Sequence, residues 1–445
     1  MMPGRAAFFV STALMAIARL AAAQPGKYAG TCLDAGCHGD LGKRDIVHSP
    51  VETGACDACH EPRKDETHRF KLAGEGAKLC TECHESADFE GKSVHSPVSS
   101  GQCLACHDPH GSKAKGLLRS ETLGALCAEC HSDTMDDLAF QHGPAAVGQC
   151  TACHVPHAGE HGKLLRKSGR TLCLECHSEV EERLTASKHV HQPADADCTA
   201  CHRPHGAANK ALLSASLPQL CLDCHDTVGE HAASAFKHSP VMTGQACASC
   251  HDAHASTTKG LLTRASAGEV CLACHDKEIQ ARDRNIDNIA ARLNTNPHHH
   301  GPLSSGDCAA CHNAHGSKWP ALASQAYPGD FYVAFRSETY QLCFECHEAT
   351  AFASAETEDA TGFRNGTQNL HYVHVNKSFK GRACHACHDP HASKNDKHIA
   401  EGVRFGKWTI PINFRPSPTG GSCGSGCHRP YGYDREQPVA NVGSR

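Results

Sequence analysis

Apolar positions along this chain make no long periodic run. They fall singly or as Leu-Leu pairs in a short recurring phrase, separated by Gly, Pro, Ser and charged residues. That pattern predicts brief helical turns and loops rather than long helices or broad sheets. Three stretches depart from it. Residues 1–23 read as an export signal: Arg5 is the positive flank, Ala6 to Ile17 is mostly apolar, and Ala21-Ala22-Ala23 offers a cleavage site before Gln24-Pro25. Ile279, Ile286, Ile289 and Leu293 share one face at helical spacing, so residues 276–293 are expected to form a helix ending before Asn294-Thr295-Asn296-Pro297. Residues 403–414 look strand-like and predict a small β element, after which Gly420-Gly421 is expected to turn the chain into Cys423. No uninterrupted apolar run reaches the roughly 18 residues of a membrane span, so the mature chain is expected to lack a transmembrane helix.

Composition sharpens this picture. Aromatics are only 5% and mean hydropathy is −0.44, so a conventional core is under-supplied for 445 residues. Cysteine and histidine are instead abundant, at 30 and 37. The formal charge of −5 gives no electrostatic case for nucleic acid, and removing Arg5 and Arg19 with the signal makes the mature chain two charges more negative.

The cysteine spacing carries the chemistry. Thirteen pairs have the form C-x-x-C-H. They are Cys56/Cys59/His60, Cys80/Cys83/His84, Cys103/Cys106/His107, Cys127/Cys130/His131, Cys150/Cys153/His154, Cys173/Cys176/His177 and Cys198/Cys201/His202, then Cys221/Cys224/His225, Cys247/Cys250/His251, Cys271/Cys274/His275, Cys308/Cys311/His312, Cys343/Cys346/His347 and Cys384/Cys387/His388. Two variants with longer spacers, Cys32/Cys37/His38 and Cys423/Cys427/His428, use the remaining cysteines. C-x-x-C-H is the attachment signal for haem c: the two thiols form thioethers to the porphyrin and the adjacent imidazole becomes the proximal iron ligand. A single match would be compatible with a redox dithiol or half a zinc site, but thirteen, each followed by His, favour about 15 covalent haems. Met1, Met2 and Met15 leave with the signal, so only Met135 and Met242 remain as sulfur ligands. Bis-His ligation and low potentials are therefore expected.

The sites form a repeat: His-x-Pro, then C-x-A-C-H-x-P-H, a Leu-Leu spacer, then L-C-x-E-C-H. Its first cysteines fall at 56, 103, 150, 198, 247, 308 and 384, giving seven two-site units after the leading Cys32 site. Each unit brings two further histidines as distal candidates. One set precedes proline: His48, His95, His142, His191, His238 and His300, with His374 in the same place but lacking the proline. The other lies three residues beyond a proximal histidine: His110, His157, His205, His254, His315 and His391. A histidine so close in sequence is anchored beside its own haem face, so it is expected to ligate a neighbouring haem. Arg63 breaks the series, leaving His68 as the substitute or else an open iron near the N-terminus. A fifteenth distal ligand is left open among His161, His189, His231, His298, His299, His371, His385 and His398.

With His95-Ser-Pro97-Val, Cys103-Leu-Ala-Cys106-His107-Asp-Pro-His110-Gly-Ser and Leu126-Cys127-Ala-Glu-Cys130-His131 recurring across most of residues 30–430, the chain resembles the doubled-C-x-x-C-H multihaem c-type cytochromes of metal-reducing bacteria. The resemblance implies a periplasmic, outer-membrane-associated or extracellular electron carrier for respiration on external acceptors such as metals, exchanging electrons with other redox proteins and associating with an outer-membrane porin or with itself. The long spacers, Arg63 and the last two, expanded units depart from the family pattern. The expected fold is a multihaem cytochrome c, mostly irregular with short α-helices and little β: an elongated array of two-haem repeats over 24–275 (eleven sites), then expanded repeats and a C-terminal segment over 276–445 (four sites). The expected function is non-enzymatic electron transfer. The rival expectations are a multihaem reductase acting at one open, five-coordinate haem, and a structural subunit of a porin conduit or cytochrome filament.

Overall fold

The computed structural model describes residues 32–34, 38–63, 69–134, 138–281 and 285–441. The export signal over 1–23, Cys37, His68 and Met135 lie outside them. By their contacts the residues divide into two bodies, 1–132 with 147–164, and 133–146 with 165–445. Among the described residues no helix is long and apolar enough to cross a membrane.

Each repeat folds by the same local rules. The prolines of His-x-Pro sit in the first turn of a one-turn helix, where a missing N–H costs nothing, as in Ser49–Glu52, Ser96–Ser99 and Ser239–Met242. The preceding histidine stays extended at the helix entrance. A 3-10 turn then forms over the first cysteine pair, as at Cys103–Ala105 and Cys198–Ala200. The second pair is reached through a short α-helix, such as Leu123–His131, capped by Thr122, or Ala267–Leu272, capped by Ser266.

Two-residue antiparallel ladders join consecutive repeats. In the first body Ile46–Val47 pairs with Gly111–Ser112, and Ser93–Val94 with Ala158–Gly159. In the second, Phe140–Gln141 pairs with Gly206–Ala207, His189–Val190 with Ala255–Ser256, Phe236–Lys237 with Gly316–Ser317, and His298–His299 with Ala392–Ser393. Hydrophobic burial plays a small part. Among the described residues, Tyr340 and Asn369 are the large side chains buried completely, and most other core positions are alanines.

The expected β element is present: Gly402–Phe405 and Trp408–Pro411 form a hairpin around Gly406 (φ 57°), followed by a sheet of Phe414–Pro416, Gly420–Cys423 and Tyr431–Asp434. Ala400, Val403 and Ile412 form its core against Phe331, Ile399, Ile410 and Phe414. Two expectations are corrected. Residues 276–293 are not one helix: Ile279–Gln280 pairs with Asn285–Ile286, and the helix covers only Ile289–Thr295, capped by Asn288. Ile279 faces Ile286 across the ladder, so a cross-strand pair imitates the helical spacing. Gly420-Gly421 makes no turn; it lies within a strand, where a Cβ on Gly420 would collide with the Tyr433 carbonyl.

Candidate functional site

The two ladder strands of consecutive repeats end on histidines. The His95 amide donates to the His157 carbonyl at 2.8 Å, His142 to His205 at 2.9 Å, and His191 to His254 at 2.9 Å, with His48–His110 and His300–His391 alike at 3.2 Å. One histidine of each set is thus fixed beside one of the other. Their rings then turn to different proximal histidines.

The pre-proline set faces the second site of its own repeat. Ring centres are 6.1 Å apart for His48–His84, 6.2 Å for His95–His131, 6.1 Å for His142–His177 and 6.1 Å for His191–His225. His238–His275 (6.4 Å) and His300–His347 (6.0 Å) continue the series. The other set faces the first site of the preceding repeat: His110–His60 (6.1 Å), His157–His107 (5.9 Å), His254–His202 (6.0 Å), His315–His251 (6.0 Å) and His391–His312 (6.1 Å). Most of these ring pairs are within 23° of parallel; His157–His107 is tilted at 45°.

The chain ends this series with a different device. In the seventh repeat the helix Leu370–Val375 carries His371 and His374 one turn apart. His371 stands 6.4 Å from His388, and His374 stands 6.4 Å from His428. His371 is a site residue that the repeat did not single out from the spare histidines. Its signal was the i, i+3 spacing to His374, which puts both imidazoles on one helix face.

The same register explains Arg63. By that register a histidine at 63 would face not His60 but a site ahead of Cys32. His110 is the imidazole that faces His60, while His68, the expected substitute, lies outside the described residues. The Cys32 thiol lies within hydrogen-bonding reach of Cys56, as Cys80 does of Cys103 and Cys127 of Cys150, so the leading site occupies a second-site position. In the second body Cys221–Cys247, Cys271–Cys308 and Cys343–Cys384 meet in the same way. His38 sits beside its own first cysteine, its amide donating to Cys32. His154 is in the first body and His205 in the second.

These sulfur junctions join the first cysteine of one site to the first cysteine of the next. Of the second cysteines, Cys59 lies near Cys80 and Cys224 near Cys201, while Cys83 and Cys176 are exposed and Cys153 is half-buried. The amides of Cys59, Cys83 and Cys153 donate to the carbonyls of Cys56, Cys80 and Cys150 at 3.2 Å, and those of Cys176 and Cys224 to Cys173 and Cys221 at 3.3 Å. Each such bond closes one short turn, so the second thiol leaves the backbone a turn beyond the first. At first sites it is half-buried, as at Cys59, Cys106, Cys153 and Cys201. At second sites it is exposed, as at Cys83, Cys130, Cys176 and Cys224. The two thiols of a pair thus lie one turn apart, the separation that thioethers to one porphyrin require.

Hydrogen bonds fix the role of Nδ1. His107, His154, His202, His251, His312 and His388 each donate Nδ1–H to the carbonyl nine residues on, at Gly116, Lys163, Ala211, Gly260, Ala321 and Lys397. All six acceptors have positive φ, from 53° to 78°. Lys163, Ala211, Ala321 and Lys397 hold this left-handed conformation without being glycine, at about 1–2 kcal/mol each. These acceptors were missed in the sequence, although the constant distance to the Leu-Leu spacer marks them. The pre-proline histidines donate to the next repeat, His48 to Pro109, His95 to Pro156, His191 to Ala253 and His238 to Ala314. With Nδ1 committed to a carbonyl, Nε2 is the nitrogen through which such a ring would ligate a metal.

Burial favours the neutral imidazole, the form that can ligate, at a subset of the histidines. It lowers His110, His157, His254, His275, His300 and His315, and takes His371 and His391 down to about 4. Burial and the facing sulfur push Cys80 and Cys127 up to about 11, keeping them as thiols. Among the described residues the cysteines form no disulfide. Among the remaining spare histidines, His231 meets Asn313, His299 meets the Leu293 carbonyl, His385 lies against Tyr327, and His398 is edge-on to His300.

This donor set fits a bis-imidazole iron. A metal lies about 2 Å from an imidazole nitrogen and the ring centre about 1 Å further, so two rings on one ion have centres about 6 Å apart. Among the described residues no three His, Cys, Asp or Glu converge as a zinc site would require. In the second body a cavity of about 2630 Å³ is lined by the cysteines and histidines of five consecutive sites, from Cys271 to His428. A pocket for one small molecule holds about 300–1,000 Å³. The C-x-x-C-H motifs, unbridged thiols and paired imidazoles together indicate covalently bound haem c.

Residues 48–89, 95–136, 142–182, 191–230, 238–280 and 300–352 each match the sequence pattern of the family described as "Doubled CXXCH motif". Each matched span begins at a pre-proline histidine. The leading site and the seventh repeat lie outside the matched spans. No curated protein matches the sequence.

Proposed function

We propose that this chain, which belongs to the doubled CXXCH motif family of multihaem c-type cytochromes, is an exported electron carrier with 15 haems, nearly all bis-His. Haem c supplies a one-electron iron couple when bound. The chain's own residues do the rest. The cysteine pairs would hold each group covalently, the paired imidazoles would ligate its iron, and the Nδ1–carbonyl bonds keep many of the rings in one tautomer and orientation. Imidazole on both sides leaves no methionine to raise the potential, so the carrier works at low potential.

The observation that carries this reading is the imidazole pair near 6 Å at site after site, with Nδ1 of many of these rings held by a carbonyl. Such pairing leaves no coordination position for a substrate, which favours a carrier over a reductase. The setting we infer is the periplasm, the outer membrane or the cell exterior, with redox proteins as donors and metals among the external acceptors.

Intact-mass measurement and a potentiometric titration of the purified protein test the proposal. The mass should show 15 covalent haems, and all should titrate over a low, broad range of potentials. A chain folded compactly without haem, or one with most haems at high potential, would overturn it.

A further inference from the structure

The C-terminal hairpin carries a surface that haem binding does not explain. Phe405 and Trp408 face each other across its turn, and both are exposed, Trp408 at 77%. Phe405 touches Phe331 and Tyr332, with ring centres 5.1 and 5.9 Å away, and Tyr332 is exposed as well. Three exposed aromatic side chains therefore form one contiguous patch.

Two cations stand beside the patch: Lys407 lies in the hairpin turn, and Arg382 is the strand partner of Tyr332, while Arg404 projects from the other face of its strand. Residues 402–435 carry five bases against Asp434 alone, in a chain whose formal charge is −5. Two acids stand at the edge: Asp287, shared between Arg292 and Arg404, and Asp330 beside Phe331.

The hairpin also adjoins the last attachment site. Ile410 lies two residues, about 7 Å of strand, beyond Trp408. A Cβ on Gly426, between Cys423 and Cys427, would stand 3.3 Å from Ile410.

Exposed Trp, Tyr and Phe with Arg at the centre of a patch mark protein interfaces, and complementary charge sets which partner is drawn in. We propose that this surface docks an acidic redox protein against the last haem site. The inference rests on the electron-carrier reading.

The test uses the full-length, haem-loaded protein with an acidic flavodoxin as probe. Binding is read by biolayer interferometry for the wild type and for a Lys407→Glu/Trp408→Ser double variant. Lys407 is in the hairpin turn and Trp408 opens the strand after it, and the absorption spectrum and melting curve check the variant's fold. The wild type should bind flavodoxin with an affinity that falls as salt rises from about 20 to about 200 mM. The variant should bind about tenfold more weakly at low salt. Equal binding by both proteins, or no salt-dependent binding by the wild type, would overturn the proposal. So would a wild-type dimer, seen by sedimentation velocity, that the variant loses, because the surface would then serve a second copy of the chain. Dithionite reduction and reoxidation separate the two readings. Haems that cycle normally while binding is unchanged refute the docking surface alone; haems that do not cycle refute the carrier.

Discussion

His110→Ala opens a coordination position on a haem that His110 does not adjoin in sequence. His110 follows its own proximal histidine, His107, by three residues, yet its ring faces His60, 47 residues before His107, at 6.1 Å. With the iron about 2 Å from each nitrogen, truncation to the methyl group leaves a gap that water or added imidazole fills. The backbone bond from His48 to the His110 carbonyl survives, as does the ion pair of Arg44 with Asp108. The stability loss should therefore stay near 1 kcal/mol. Low-temperature EPR of the oxidised variant should show one high-spin haem per chain, returned to low spin by imidazole. Location is the decisive readout. Adding Cys56→Ala/Cys59→Ala should abolish the high-spin signal, while adding Cys103→Ala/Cys106→Ala should leave it in place. The reverse result would refute ligation across repeats.

Further outcomes follow from the same geometry. His371→Ala should open the site of His388, giving one high-spin haem, whereas His398→Ala should give none; EPR distinguishes them. Gly116→Val places a β-branched residue at φ 73° and should cost about 1–2 kcal/mol, measured by thermal unfolding, and should shift one haem potential through the His107 contact. Gly420→Val should destabilise the last sheet by about 2–4 kcal/mol and lower the yield of the fifteenth haem by mass. His371 and His391 are held near 4, below the usual 6.5, so the unfolded chain takes up protons that the folded chain refuses. Stability of the second body should be full above about pH 6.5 and fall as the pH drops through about 4, as acid titration of the visible spectrum would show.

The covalent chemistry was legible because attachment needs fixed local spacing: two thiols and a histidine within five residues announce themselves. Histidine supply was legible for the same reason, since His-x-Pro and C-H-x-P-H recur in phase with the sites. The structure added the partner assignment. A ladder such as Ile46–Val47 with Gly111–Ser112 is only two residues long, too short to leave a period in the sequence. The unequal settings of the paired thiols were hidden too, because Cys56 and Cys59 read alike in sequence and only the junction with Cys32 separates them. The left-handed carbonyl acceptors were hidden because Lys163 and Ala211 are not residues that ordinarily mark positive φ. His371 was obscured because the chain's end is where the repeat stops holding. The mistaken helix at 276–293 shows that four apolar residues at helical spacing can instead be a cross-strand pair followed by a short helix.

The most direct test of bis-histidine ligation is near-infrared magnetic circular dichroism of the fully oxidised protein, with haem counted on the same sample. The position of the charge-transfer band distinguishes a bis-His iron from a His/Met iron. The account predicts low-spin bis-His intensity for nearly all of about 15 haems per chain. A large high-spin or His/Met share would contradict it.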